Sequence, residues 1–445
     1  MEKEINFISS FEKKLKIKIL HQERYFNAIL KKETKGFTIN LSNVNDRDID
    51  QHKPIILAIK DQNFETRDYY KKIRSFSSSK GPGMQLFVNS FAEVKSGKKS
   101  YCRCIIPLSK NISFNNILSY ATDKDRANGV QKIKIKDTEV LKVLIEEKRY
   151  LVIESTIKTS HSDFEEQCWS IIIGLGYVTG FFAQNEKFNF YYDKKDLITA
   201  TKVSYKTQRD SINSFYHPVN ANPFGWSLPN SLKDKYYGKL REISNVQFSQ
   251  LCSLIHYDVD IKAMILLLIE AVSRSLLLMP AGLSVVLEGL SEYFFRLGGE
   301  KLKPISQKAL SKQIISEMEK VLSNYRETEG IANYTVLEQK IKMLNSPTNR
   351  EKLKFPFTYL GINLSPLDEE VIEFRNDFLH GNINLHPKKG KKIEMDSFEI
   401  SLRLLTLINT VFMKMIGFEG YILNHTRLQQ AGLRKKIKEL PFIKI

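Results

Sequence analysis

Ser365-Pro-Leu-Asp-Glu-Glu-Val-Ile-Glu-Phe-Arg-Asn-Asp-Phe-Leu-His-Gly381 is the stretch on which the reading of the fold turns. Ser365 can cap a helix, Pro366 suits its first position, and Asp368 stands three residues after the cap. A helix is therefore predicted over about 366–380. At about 100° per residue, Leu367, Val371, Phe374 and Phe378 fall on one flank and Ile372 and Leu379 on the next. Glu373, Asn376, Asp377 and His380 take the far side, and Arg375 projects between the two apolar flanks. An isolated buried charge is very costly, so Arg375 has to be paired, exposed at an interface, or used on an anion.

Arg375 and His380 lie five residues apart, which on a continuous helix is roughly 140° around the axis. Gly381 changes this, because glycine adopts the left-handed conformation that closes helices, leaving the imidazole at the terminus, able to lean back towards Arg375. Carbonyl dipoles there favour imidazolium, and a neighbouring guanidinium opposes it. That balance suits a general acid or base working near neutrality. A second Arg-x4-His occurs at Arg47 and His52. It sits in a polar, turn-like stretch without apolar periodicity and is read as coincidence.

This pattern of Arg-Asn-x-x-x-His closing a helix within a helical domain resembles the signature of the HEPN superfamily (higher eukaryotes and prokaryotes nucleotide-binding). The long chain with the motif near its end looks like the Apea-like branch. The resemblance covers the motif and about the last 200 residues. It implies a metal-independent endoribonuclease without cofactors, working as a homodimer whose arginines and histidines line a cleft between protomers. Carried over, Arg375 would neutralise the scissile phosphate, His380 would move protons during 2′-hydroxyl attack, and Asn376 would orient one of those groups. The resemblance further implies bacterial antiviral defence through cleavage of tRNA or other RNA, with the N-terminal domain meeting a phage-derived trigger. The alternative is a non-catalytic RNA-binding or dimerisation module of the same type.

Composition bounds these readings. At 445 residues the chain is too long for one ordinary core, and 42% hydrophobic content fits a folded soluble protein. The net charge of +18 implies attraction to polyanions, of which nucleic acid is the first choice. Cys102, Cys104, Cys168 and Cys252 make no disulfide framework and no zinc spacing, and read as reduced thiols in a cytoplasm. The N-terminus lacks the pattern of a signal peptide, and Glu270 and Arg274 interrupt the strongest apolar run, 263–278, so no membrane span is expected.

Along the chain the period changes once. Up to about Thr207 short alternating runs predict strands at 37–41, 54–59, 86–88, 101–106, 140–146, 150–157, 188–192 and 200–205. One helix is expected at 162–182, with Gly174, Gly176 and Gly180 packing it closely on the sheet. Residues 209–238, with Pro218, Pro223 and Pro229, form the candidate connector. From about Leu240 helical spacing dominates, with helices at 246–256, 260–279, 283–297, 306–324, 335–345, 366–380, 396–416 and 428–439 and with Pro280 as a stop. The expected class is α+β: a β-rich regulatory domain over 1–240, then an α-helical domain over 241–445. Glu288 interrupts an apolar helix and, with Asp377, is a candidate supporting group for the Arg375 cluster. The basic loop Lys388, Lys389, Lys391 and Lys392 would suit an RNA backbone. His386 ranks well below His380 as a proton-transfer group, and no metal ligands are predicted near the motif.

Overall fold

The computed structural model describes the chain except residues 43, 60–61, 74–82, 94–98, 110–116, 118–130, 136–137, 147–148, 221–229, 275–277, 328–330, 380–394 and 433–438. The chain divides into two compact units, Met1–His217 with Glu242–Lys262, and Pro218–Arg241 with Ala263–Ile445.

The first unit opens with helix α1 (Glu2–Ser10) and strands β1 (Leu15–His21), β2 (Arg24–Lys32), β3 (Phe37–Ser42) and β4 (Ile55–Ile59). Strands β5 (Gln62–Thr66), β6 (Tyr69–Ile73), β7 (Gly83–Val88) and β8 (Ser90–Glu93) follow. Next come β9 (Tyr101–Pro107), β10 (Gln131–Ile135), β11 (Thr138–Glu146), β12 (Tyr150–Ser155) and helix α2 (His161–Thr179). Strands β13 (Phe181–Phe182), β14 (Glu186–Tyr192), β15 (Lys202–Thr207) and β16 (Ile212–Asn213) end this run. Helix α3 (Asn230–Tyr236) belongs to the second unit, whereas α4 (Asn245–Tyr257) returns to the first.

Fourteen of these strands form one antiparallel sheet in the order β10-β11-β12-β9-β14-β15-β8-β5-β4-β1-β2-β3-β7-β6. Part of it closes on itself. Phe64 faces Glu93 and Tyr69 faces Val88, so β5 with β6 and β7 with β8 are the two arms of one hairpin in a single register. The hairpin bends where Asn89 donates to the Asp68 carbonyl at 3.0 Å. Because β5 also pairs with β4 and β7 with β3, the sequence β4-β1-β2-β3 joins its two arms into a six-stranded barrel. Alternation supplies the interior: Ile55, Leu57 and Ile59 of β4 are buried and the residues between them are only half-buried. Phe11, which caps α1, packs on Phe37, Phe91 and Phe188 at 5.1, 6.2 and 6.3 Å between ring centres.

Beyond the barrel the sheet is open, and α2 and α4 pack together, with α4 also against β10. Ser160 caps α2, accepting from the Asp163 amide at 3.1 Å. Gly174 faces α4, where a Cβ would meet Cys252 Sγ and Phe248 at 3.3 Å, whereas Gly176 faces Phe182 of β13, which a Cβ would approach to 2.9 Å. Gly180 ends the helix at φ +73°, where a Cβ would strike the Ser214 carbonyl oxygen. This packing carries α4 into the first unit, so the units do not separate by a single cut near 240.

In the second unit, α5 (Val259–Arg274), most of which lies there, is followed by α6 (Met279–Gly298), α7 (Lys308–Asn324), α8 (Tyr334–Lys342) and α9 (Asn349–Tyr359). Helices α10 (Pro366–Leu379) and α11 (Ser397–Met415), strand β17 (Tyr421–Leu423), helix α12 (His425–Gly432) and strand β18 (Phe442–Lys444) complete it. Pro280 opens α6 instead of stopping a helix, since proline needs no amide partner in the first turn. Helix α6 is central, touching α9, α10 and α11. A sheet-rich first half and a helical second half make the chain α+β. Among the described residues no helix is long and apolar enough to cross a membrane.

One buried cation organises the first unit. Arg103 on β9 donates to Glu154 at 2.7 Å and to Glu4 of α1 at 3.0 Å, and Tyr192 donates to Glu4 at 2.5 Å. Burial alone would raise the Glu4 carboxyl, but the Tyr192 hydrogen bond and the Arg103 charge outweigh it and hold it below its usual value. Removing Arg103 would take the guanidinium from Glu154 and leave Glu4 with Tyr192 and the Met1 ammonium, so Arg103→Ala should cost roughly 3 kcal/mol, read by urea unfolding through Trp169 fluorescence in a Trp226→Phe background. A carboxyl depressed by folding stabilises above its unfolded value and loses that contribution as pH falls through its folded value. The urea midpoint should therefore drop on acidification below the ordinary glutamate range, and Glu4→Gln should flatten that drop.

Candidate functional site

Helix α10 starts as its sequence dictates. Ser365 Oγ accepts from the Asp368 amide at 3.2 Å, and the Asp368 carboxylate accepts from the Ser365 amide and hydroxyl at 2.8 and 2.7 Å. The same carboxylate accepts from Arg403 Nε of α11 at 2.7 Å. Arg403 reaches on to Glu439 at 2.5 Å, and Glu439 accepts from Asn424 at 2.9 Å. Burial alone would lower the Arg403 guanidinium, but Glu439 and Asp368 outweigh it and hold it above its usual value. The N-terminal end of α10 is thereby tied both to α11 and to the segment between α12 and β18.

Two further faces of α10 are fixed. Val371 and Ile372 are wholly buried where the helix packs on α6 and α11. On the outer side Glu369 accepts from Lys354 of α9 at 2.6 Å, which holds its carboxyl below the usual range, and Glu373 pairs with Arg350. The outer, polar side of α10 thus binds α9 through Glu369 and Glu373. No residue before this point in the chain signalled Arg350, Lys354 or Arg403, although each is a cation placed opposite an acidic position of α10.

Positions 375, 376 and 377 lie near the far end of the described part of α10, which runs to Leu379. Position 375 follows the buried Val371 and Ile372 by four and three residues, which places it on the side of the helix that packs on the bundle. The side chains of Arg375, Asn376 and Asp377 lie outside the described residues, as do His380, His386, Lys388, Lys389, Lys391 and Lys392 altogether. Glu288 is half-buried on α6, the helix that α10 packs against. Glu270 is half-buried on α5. Arg47 and His52 are exposed around a short 3-10 turn, in keeping with a coincidental spacing.

All four cysteines are free and buried; burial, with Cys104 nearby, pushes the Cys102 thiol up to about 12, and burial raises Cys168 and Cys252 as well. Among the described residues no group of three or more His, Cys, Asp or Glu could hold a metal. A cavity of about 320 Å³ opens beside the Arg403 network, with Thr406, Thr410, Lys414 and Asn424 in its wall. It lies at the N-terminal end of α10, roughly 10 Å along the axis from position 375.

No protein-family model matches the chain. No curated protein matches it, and neither does any solved structure. The network that fixes α10 is open to direct test. Arg403→Ala leaves Asp368 and Glu439 without their shared donor and should lower stability by roughly 2 kcal/mol. Arg403→Lys should recover only part of that in a thermal melt, because one ammonium cannot bridge both carboxylates in the same geometry.

Proposed function

We propose that this chain is a metal-independent endoribonuclease of HEPN type that cuts single-stranded or loop RNA, with Arg375, Asn376 and His380 as its reacting groups. The single supporting observation is the placement of the motif. A helix capped at Ser365 and pinned by α6, α9 and α11 carries positions 375 and 376 towards the end of its described length. A rigid helix end is a suitable mount for a cation and an imidazole that must act on one phosphodiester. The net charge of +18 agrees with a polyanionic substrate.

In this reading the RNA 2′-hydroxyl attacks the adjacent phosphorus while His380 handles its proton. The P–O5′ bond breaks, the leaving 5′ oxygen takes up a proton, and a 2′,3′-cyclic phosphate remains. Arg375 offsets the charge that grows on the phosphoryl oxygens, Asn376 orients the imidazole or the hydroxyl, and Glu288 and Asp377 support that pair. Lys388, Lys389, Lys391 and Lys392 hold the RNA backbone. The protein acts in the cytoplasm in antiviral defence as a homodimer formed through the helical unit, with the sheet-rich unit receiving a phage-derived trigger. These last steps rest on family analogy alone.

Incubating the purified chain with total RNA in EDTA tests the proposal. Cyclic-phosphate products should form in wild type and fall by at least about a hundredfold in Arg375→Ala and in His380→Ala, with folding unchanged. Undiminished cutting by His380→Ala refutes the assignment. RNA binding without cleavage, in the purified chain and after addition of phage-infected cell extract, supports the non-catalytic RNA-binding module instead.

A further inference from the structure

Helix α11 is buried along nearly its whole length, yet one of its faces is polar. Arg403, Thr406, Thr410 and Lys414 fall within an arc of roughly 80° and extend over about 16 Å of the axis. On a helix packed into a bundle such a face would ordinarily be apolar. Here all four residues line the cavity of about 320 Å³ beside the Arg403 network. That volume is at the small end of ligand pockets, which run from roughly 300 to 1,000 Å³, and suits a molecule the size of a monosaccharide.

The two ends of the cavity differ in charge. At one end Asp368 and Glu439 flank Arg403, two carboxylates around a single guanidinium, so acceptor oxygens are in excess. The Thr410 hydroxyl donates to the Thr406 carbonyl at 2.9 Å, which leaves its oxygen able to accept as well. At the other end stands Lys414, half-buried in the last turn of α11. The exposed Lys444 stands near it, because the Ile445 amide that follows donates to the Gly420 carbonyl at 2.8 Å, just beyond that helix. Neither lysine has a carboxylate partner among the described residues.

An ammonium partly withdrawn from water in a polar cavity calls for an anion, and two lysines suit a phosphate dianion better than a single carboxylate. Acceptor oxygens at the far end call for donors, which hydroxyl groups supply. We infer that the cavity binds a small hydroxyl-bearing phosphate ester, its phosphate at Lys414 and Lys444 and its hydroxyls on Asp368, Glu439 and Thr410. Leu407 and Ile443, also in the wall, supply apolar surface for the carbon skeleton. Because Asp368 and Arg403 fix the first turn of α10, the bound ester braces the helix that carries position 375.

Calorimetric titration of the full chain with ribose-5-phosphate, in a buffer free of phosphate and RNA, tests this. The sugar phosphate should bind with a Kd below about a millimolar, and ribose, gluconate and inorganic phosphate should each bind at least about tenfold more weakly. Lys414→Met removes one charge-assisted contact, so it should weaken ribose-5-phosphate at least about tenfold and leave the circular dichroism melt of the unliganded chain unchanged. Lys320→Met, on the surface of α7, should alter neither. Neither heat nor a rise of the melt with ribose-5-phosphate overturns the inference, as does binding that Lys414→Met leaves intact. Equal binding of inorganic phosphate shows an adventitious ion only, and equal binding of gluconate removes the case for a phosphate; either result overturns it too. RNA takes no part in the titration, so a failure here leaves the nuclease reading standing, and loss of cleavage there leaves this site standing.

Discussion

The Asp368 carboxylate serves two masters, and the helical unit depends on the coincidence. It closes the first turn of α10 by exchanging hydrogen bonds with Ser365, and it accepts from Arg403 of α11 at 2.7 Å. The first interaction is local and fixes where the helix begins. The second is tertiary and fixes what the helix begins against. Since α10 is continuous from Pro366 to Leu379, a restraint at its first turn sets the position of its last. Glu369 and Glu373 against α9 restrict rotation about the axis, and the buried Val371 and Ile372 hold the opposite side.

The sheet-rich unit uses the same device on a different scaffold. Arg103 gathers Glu4 from α1 and Glu154 from β12, residues far apart in sequence, around one guanidinium. Neither network makes the unit stable by Coulomb attraction alone, because desolvating the charges offsets most of that gain. What such a network does is penalise alternatives: any packing that separates the partners leaves a charge buried without compensation. An arginine suits both places because its planar fork holds two carboxylates at once.

Surface charge and surface apolarity divide the remaining roles. The excess of lysine and arginine gives the whole molecule a long-range attraction to polyanions that carries no sequence preference. The exposed apolar side chains of Leu310, Met318 and Val321 on α7 are by contrast a local feature of the surface.

Much of the secondary structure could be read from pattern. Strands at β3, β4, β9, β11, β12 and β14, and helices from α4 to α8, α10 and α11, follow the spacing of apolar residues in the sequence. The hairpin of β1 and β2 could not, because its turn places Gln22 and Glu23 at φ +46° and +67° without the glycine or asparagine that usually announces it. Helix α9 was hidden by Pro356, which costs a hydrogen bond inside the helix. The start of α10 and its cap were legible, since cap chemistry involves residues three apart. The carboxylate contacts from Arg350, Lys354 and Arg403 were not, because ion pairing across a bundle leaves no trace in spacing.

The amino-acid order by itself therefore determined local matters: which segments are strands or helices, where α10 starts, and the α+β class. Tertiary structure alone decided that the bent hairpin of β5–β6 and β7–β8 closes a barrel, that α4 joins the sheet, and that α10 is held on three sides. The physical reason is range. Capping and periodicity act within a few residues, whereas strand closure and ion pairing join residues whose separation along the chain their identities do not encode.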